Sequence, residues 1–223
     1  VSIALGSIAQ DREMKVGYMK PLGTRLRSQK GKPVDEDSLL ANKILNLEGD
    51  AQDLNPIIYS RPFMEQAMRG QENSEELRDK IVESHDKLAK NKNVMIIEGG
   101  GKLSTGGTIN LTDYEIADLL DSKVVIVSNY NAPEDIDVIL DGASRLDDNL
   151  LGVIFNNVSN ANLDKVEGTV APLLERRGIP VLGCLPRKME LAGLEIEELA
   201  EELGANILTD VKEGFIERFL VGA

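Results

Sequence analysis

Several things are scarce in this chain of 223 residues, and each scarcity removes a class of function. There is one cysteine, Cys184, so neither a disulfide framework nor a cysteine-based zinc site can be built, and a reducing, cytoplasmic compartment is expected. There is one histidine, His85, set among charged residues of a helical segment; a Ser-His-Asp triad could be made only through it, and nothing near it resembles a nucleophile elbow. Long apolar runs are missing as well. The most apolar stretches, such as VVIV at 124–127, fall far short of the roughly 20 residues that a membrane span needs, so a soluble protein without a membrane partner is expected. No charged-then-apolar leader opens the sequence. Positive charge is in deficit: 25 Lys and Arg against 38 Asp and Glu give a net charge of −13, which repels a polyanion and argues against a nucleic-acid partner.

What is present is an alternation of short β-branched runs with longer segments of helical period, the pattern of βαβ units around a parallel sheet. Strands are predicted at 14–20, 93–98, 123–128, 150–156, 180–184 and 206–209, and helices at 1–11, 36–47, 74–91, 113–120, 133–146, 162–177 and 195–203. Asn73 or Ser74 caps one helix, and Gly178 and Gly204 follow two others. The fold class is therefore α/β, a doubly wound and mostly parallel sheet in a single domain over residues 1–223. Residues 48–73, broken by Gly49, Pro56, Pro62 and Gly70, read as an irregular connection with a short helix near 63–69. Neither an internal repeat nor a low-complexity tract is found.

In such a sheet, ligands sit beyond the carboxyl ends of the strands. After VMII come Glu98, Gly99, Gly100 and Gly101, then Lys102 to Gly107. An acid ending a buried strand is placed to hold Mg²⁺, and five glycines within nine positions exceed what a plain turn needs. After KVGYM come Lys20, Pro21, Leu22, Gly23 and Thr24; Pro21 stiffens the exit, and a lysine there suits phosphate or carboxylate. Asp35, Glu36 and Asp37 precede the segment SLLANKIL. They are either N-terminal acids favoured by the helix dipole or the source of a second carboxylate for a cation, and the residues alone leave both open. Asn156 and Asn157 end another strand, where amides could read a purine edge or close an Asx turn, and Leu185 and Pro186 end the next. Residues 14–32 hold Lys15, Lys20, Arg25, Arg27, Lys30 and Lys32 with no acid among them, a possible anion-attracting rim in which Arg27, Lys30 and Lys32 read better as solvated loop cations. The six Glu within 190–202 read as the solvated face of a helix.

Taken in order, KPLGT, DEDS, IIEGGG, VSN, GVIFNNV and PVLGCLP make the chain similar to the dethiobiotin synthetase family of P-loop proteins. It resembles more closely the dethiobiotin-synthetase-like amino-terminal domain of long phosphotransacetylases and their archaeal relatives, over essentially the whole chain. That resemblance implies a Mg-ATP-binding domain, with ATP and Mg²⁺ as cofactors, acting as a regulatory or sensor module. An ATP-dependent ligase that activates an amine or carboxylate by phosphoryl transfer is the alternative, and a non-catalytic oligomerisation domain a further one. By the same resemblance, Lys20 contacts phosphate and substrate with Thr24 as hydroxyl partner, and Asp37 and Glu98 hold Mg²⁺. Gly99, Gly100 and Gly101 form the glycine turn, of which Gly101 lends backbone to the substrate side. Asn156 faces adenine, and Leu185 with Pro186 lines the base pocket. A homodimer is implied by analogy.

The chain departs from the pattern in lacking the phosphate loop G-x-x-x-x-G-K-[ST]. Val1 to Ala9 look like the helix that follows that loop, so about a dozen further residues are expected upstream; a true loss of the loop would make a non-binding relative. Lys102 to Gly107 is the longer version found in phosphotransacetylase-type domains, and Phe215 to Ala223 looks like a junction into a following domain.

Overall fold

Buried β-branched and aromatic runs next to amphipathic helices produce the α/β arrangement that the pattern predicts. In the computed structural model, residues 1–29, 32–47, 49–188, 194–208 and 215–216 are described. The chain forms two compact units, Val1–Val125 with Leu140–Leu151, and Ile126–Ile139 with Gly152–Ala223.

The first unit opens with α1 (Ser2–Asp11) and β1 (Val16–Met19), whose four residues are all buried. Then follow β2 (Leu22–Gly23), the antiparallel pair β3 (Leu26–Gln29) and β4 (Lys32–Asp35), α2 (Glu36–Leu45), α3 (Ala51–Leu54), β5 (Ile57–Ile58), α4 (Arg61–Met68), α5 (Ser74–Ala89), β6 (Val94–Ile97) and α6 (Asp113–Leu119). β1 runs parallel to β6 with Met19 opposite Ile97, and β2 runs parallel to β5 with Leu22 opposite Ile57. The helix α5 is started by Asn73, whose side chain accepts from the Glu75 N–H, and it buries Leu77, Ile81, Ser84 and Leu88 on one face. A capping box of Thr112 and Glu115 starts α6. Tyr18, Met19, Leu22, Leu54, Ile57, Ile81, Ile109 and Leu111 lie in the core between these elements.

β7 (Val124–Ser128) and α7 (Asp135–Leu146) lead on to β8 (Leu150–Val158), α8 (Asn160–Lys165), α9 (Ala171–Arg176) and β9 (Val181–Pro186). The strands lie in the order β7, β8, β9, and β8 runs parallel to β9. In the second unit Phe155, Val158, Val166, Val170 and Leu174 are buried, and Tyr130 packs edge-on against Phe155 with ring centres 6.4 Å apart. The helix predicted at 162–177 is one continuous helical segment interrupted by a π turn over Val166–Val170. Pro172 explains the interruption, since it has no N–H to return to the carbonyl four residues back. β10 (Leu194–Glu195), α10 (Ile196–Leu203) and β11 (Phe215–Ile216) complete the described part.

Predicted and observed boundaries agree within about two residues for the helices and for the first five strands. The strand expected at 206–209 does not form over its described residues 206–208, where Leu208 is 93% exposed; a strand exists only with a ladder partner and a covered face. Thr209 lies outside the described residues, as do Lys30 of the cation cluster, Glu190 of the acidic run and Glu217 to Ala223 of the expected junction. The region 48–73 contains the expected short helix as α4, and also α3 and β5, which were not predicted.

Candidate functional site

The site of the first unit grows from β1. Its apolar residues carry the chain through the core, and the next side chain, Lys20, is left at the carboxyl end only 2% exposed. An ammonium that deep requires countercharge. Its Nζ lies 2.5 Å from Asp37 Oδ2 and 3.2 Å from Asp35 Oδ2.

The two acids do different work. Asp35 is the N-cap of α2: Oδ1 accepts from the Ser38 N–H at 3.1 Å, while Oδ2 accepts from the Thr24 and Arg25 N–H groups at 3.1 and 3.0 Å. It therefore ties the Lys20–Arg25 segment to the helix start. Asp37, partly exposed in the first turn of α2, takes Lys20 on one oxygen and the Arg25 guanidinium on the other at 3.3 Å.

Because β1 and β6 are parallel neighbours in register, Glu98 emerges beside Lys20, its own N–H donating to the Met19 carbonyl at 2.8 Å. Glu98 Oε2 accepts from the Tyr18 hydroxyl at 3.2 Å. Tyr18 is fully buried, and burial together with the Glu98 charge pushes its pKa far above the ordinary value, so it remains a proton donor to that carboxylate at any working pH.

The glycine turn follows. Gly100 is held from both sides: its N–H donates to Asp113 Oδ1 at 3.2 Å, and its carbonyl accepts from the Thr24 hydroxyl at 3.4 Å. Gly99 lies against the same carboxyl group, since a Cβ there would be 2.4 Å from Asp113 Oδ2, and Gly101 has φ +110 with open space around it. Burial raises the Asp113 pKa to about 6, against the Gly100 hydrogen bond, which lowers it.

Lys20, Thr24, Asp37, Glu98 and Gly99 to Gly101 thus share the carboxyl ends of two adjacent strands in one unit. Asn156, Leu185 and Pro186 belong to the other unit. Asn156 lies near the end of β8 and is half-buried; Leu185 and Pro186 are exposed at the end of β9, Pro186 in register with Val158. Tyr18 and Asp113 were not among the predicted site residues, and Asp35 was among them only as one of the three acids ahead of α2. Asp35 carried a signal, as an acid three residues before a helical Ser, whereas Tyr18 meets Glu98 through the pairing of β1 with β6 and Asp113, at the start of α6, meets Gly100 across the turn, contacts that no local pattern reveals.

A buried lysine with a neighbouring arginine attracts an anion, a glycine turn lets backbone approach it, and two carboxylates suit a hard cation. Among the described residues no group of three or more His, Cys, Asp or Glu side chains is gathered for a metal ion. Mg²⁺ takes one or two carboxylates and completes its shell with phosphate and water. Asp37 and Glu98 would be those carboxylates.

A family described as an AAA domain, AAA_26, matches residues 1–194. The chain belongs to this family of P-loop domains. A phosphate acetyltransferase of Haemophilus influenzae is 28% identical over 251 aligned positions, covering 99% of this chain and 33% of that protein. A phosphate acetyltransferase of Pseudomonas putida is 25% identical, over 93% of this chain and 30% of that protein. An ATP-dependent dethiobiotin synthetase of Methanococcus vannielii is 27% identical, over 85% of this chain and 88% of that protein. The chain spans about a third of the length of the acetyltransferases it matches. No helix among the described residues is long and apolar enough to cross a membrane.

Proposed function

We propose that this AAA_26 domain binds Mg-ATP and serves as a regulatory or sensor module of a phosphotransacetylase-type protein. The observation that carries the reading is the buried Lys20 at the end of β1, paired with Asp37 and beside Glu98 at the end of β6. In it, Lys20 and Arg25 meet phosphate oxygens, Asp37 and Glu98 hold Mg²⁺, and the turn at Gly99 to Gly101 approaches the ligand through its backbone. Mg²⁺ supplies neutralisation of phosphate charge. The module assignment is supported by the match of nearly the whole chain to about a third of two phosphate acetyltransferases.

Titration calorimetry of the whole natural protein with ATP tests it. Saturable heat that requires Mg²⁺, with a rise in Tm, is expected; neither heat nor stabilisation would overturn the reading.

A ligase of the dethiobiotin synthetase type is the second reading, favoured by a match covering 88% of such an enzyme from Methanococcus vannielii. There Lys20 would stabilise charge on the transferring phosphoryl group. ADP release that depends on diaminopelargonate and bicarbonate would establish it, and ATP binding without such turnover would leave the sensor role. A homodimer is proposed alongside, with sedimentation velocity as its test.

A further inference from the structure

Glu98 lies next to a lysine with which it makes no ion pair. β1 and β6 run side by side in parallel, with Tyr18 opposite Ile96 and the Glu98 N–H on the Met19 carbonyl at 2.8 Å. Side chains two apart on a strand face the same way, so Tyr18 and Lys20 share a face with Ile96 and Glu98. Opposite charges thus end two neighbouring strands on one face. Lys20 Nζ nevertheless pairs with Asp35 and Asp37 at the start of α2 and, among the described residues, with no other carboxylate.

Glu98 is held elsewhere. Among the described residues it has one side-chain partner, the Tyr18 hydroxyl, which donates to Oε2 at 3.2 Å, and Oε1 has none. Tyr18 is fully buried in the apolar core with Met19, Leu22 and Ile81. Phenylalanine would fill that place with no polar group to satisfy, whereas a buried hydroxyl needs a partner. Asp35 and Ser38, both buried, lie near the same hydroxyl from the start of α2. The bond to Glu98 is therefore made from inside the core, where solvent does not compete for the carboxylate oxygen.

We propose that Tyr18 is a positioning residue for Glu98. By holding Oε2 from the core it keeps the carboxylate off the Lys20 ammonium and leaves Oε1 to a divalent cation. The proposal rests on the reading that Glu98 holds Mg²⁺, and its test separates the two.

Tyr18→Phe is made in the whole natural protein, with Tyr59→Phe as the control. Tyr59 is also buried in this core, but its hydroxyl meets Thr108 at 2.8 Å and not Glu98. ATP binding is followed by calorimetry at increasing Mg²⁺. In Tyr18→Phe the Mg²⁺ concentration at half-maximal ATP heat should rise on the order of tenfold, the loss expected when the group that orients a metal ligand is removed, while Tm stays close to that of wild type. Tyr59→Phe should leave that concentration unchanged. No rise in Tyr18→Phe, or an equal rise in both variants, overturns the proposal.

A crystal structure of Tyr18→Phe without nucleotide gives a readout that needs no metal. The Glu98 carboxylate should turn to within ion-pair distance of Lys20 Nζ, and a carboxylate that stays in its wild-type position overturns the proposal. A wild-type protein that binds no Mg-ATP would remove the metal reading, while the position of Glu98 in Tyr18→Phe would still decide whether Tyr18 keeps it from Lys20.

Discussion

At the strand ends of the first unit, charges are buried and tied down; at those of the second, amide and apolar groups stand half-buried or exposed. Lys20 is 2% exposed and meets two carboxylates, Glu98 is held by Tyr18, and Gly100 is gripped at both its N–H and its carbonyl. Leu185 at the end of β9 is 45% exposed. The contrast is between charges fixed in place and a surface without them. Phosphate and a divalent cation demand charges whose positions are set before the ligand arrives, because reorganising them in a low-dielectric site is expensive.

Substitutions at the two kinds of strand end should therefore differ most in stability. Lys20→Ala leaves Asp35 and Asp37 close together without their cation and should cost about 3–5 kcal/mol, read by denaturant unfolding, and abolish Mg-ATP binding. A loss within surface-substitution range would break the contrast. Gly106→Ala comes next. Gly106 has φ +97 and its added Cβ would meet the Leu111 carbonyl oxygen at 2.1 Å, so backbone must move; the cost should exceed that of Gly101→Ala, where φ +110 is the only obstacle and about 1 kcal/mol is expected. Equal costs at the two positions would deny the close approach.

Asp113 sharpens the comparison through pH. Burial raises its folded pKa from 3.8 to about 6, so the neutral carboxyl is favoured by folding. The stability it contributes is whole below pH 3.8 and is lost as pH rises through about 6. Asp113→Asn keeps an acceptor for Gly100 and should stabilise the protein at pH 7.5 by about 1–3 kcal/mol, with the advantage vanishing below pH 4. A pH-independent difference between the two proteins would refute the assignment. The smallest effect belongs to the second unit: Asn156→Ala should change stability by no more than about 0.5 kcal/mol, read by denaturant unfolding.

The elements that were legible share one property, a local signal. β1, β6, β7, β8 and β9 are short β-branched runs, α5 announces its cap at Asn73, and the glycines at 99 to 101 mark a turn wherever they occur. The hairpin of β3 and β4 escaped because RLRSQKGKPVD has little apolar alternation and places Pro33 inside a strand, so its pairing is backbone pairing with no side-chain signature. The break in the helix at 162–177 was marked by Pro172, though a proline near a helix start is also tolerated.

Order along the chain was enough to determine the α/β class, the strands that end in Lys20 and Glu98, and the family, because periodicity and strand-end chemistry are written in neighbouring residues. Tertiary structure alone decided that β1 pairs with β6, that Asp35 and Asp37 both reach the same ammonium, and that the Asn55 side chain donates to the Lys20 carbonyl. Those contacts join residues from 15 to 78 positions apart. Hydrogen bonds and ion pairs between them depend on distances of a few ångströms in space, which separation along the sequence does not encode.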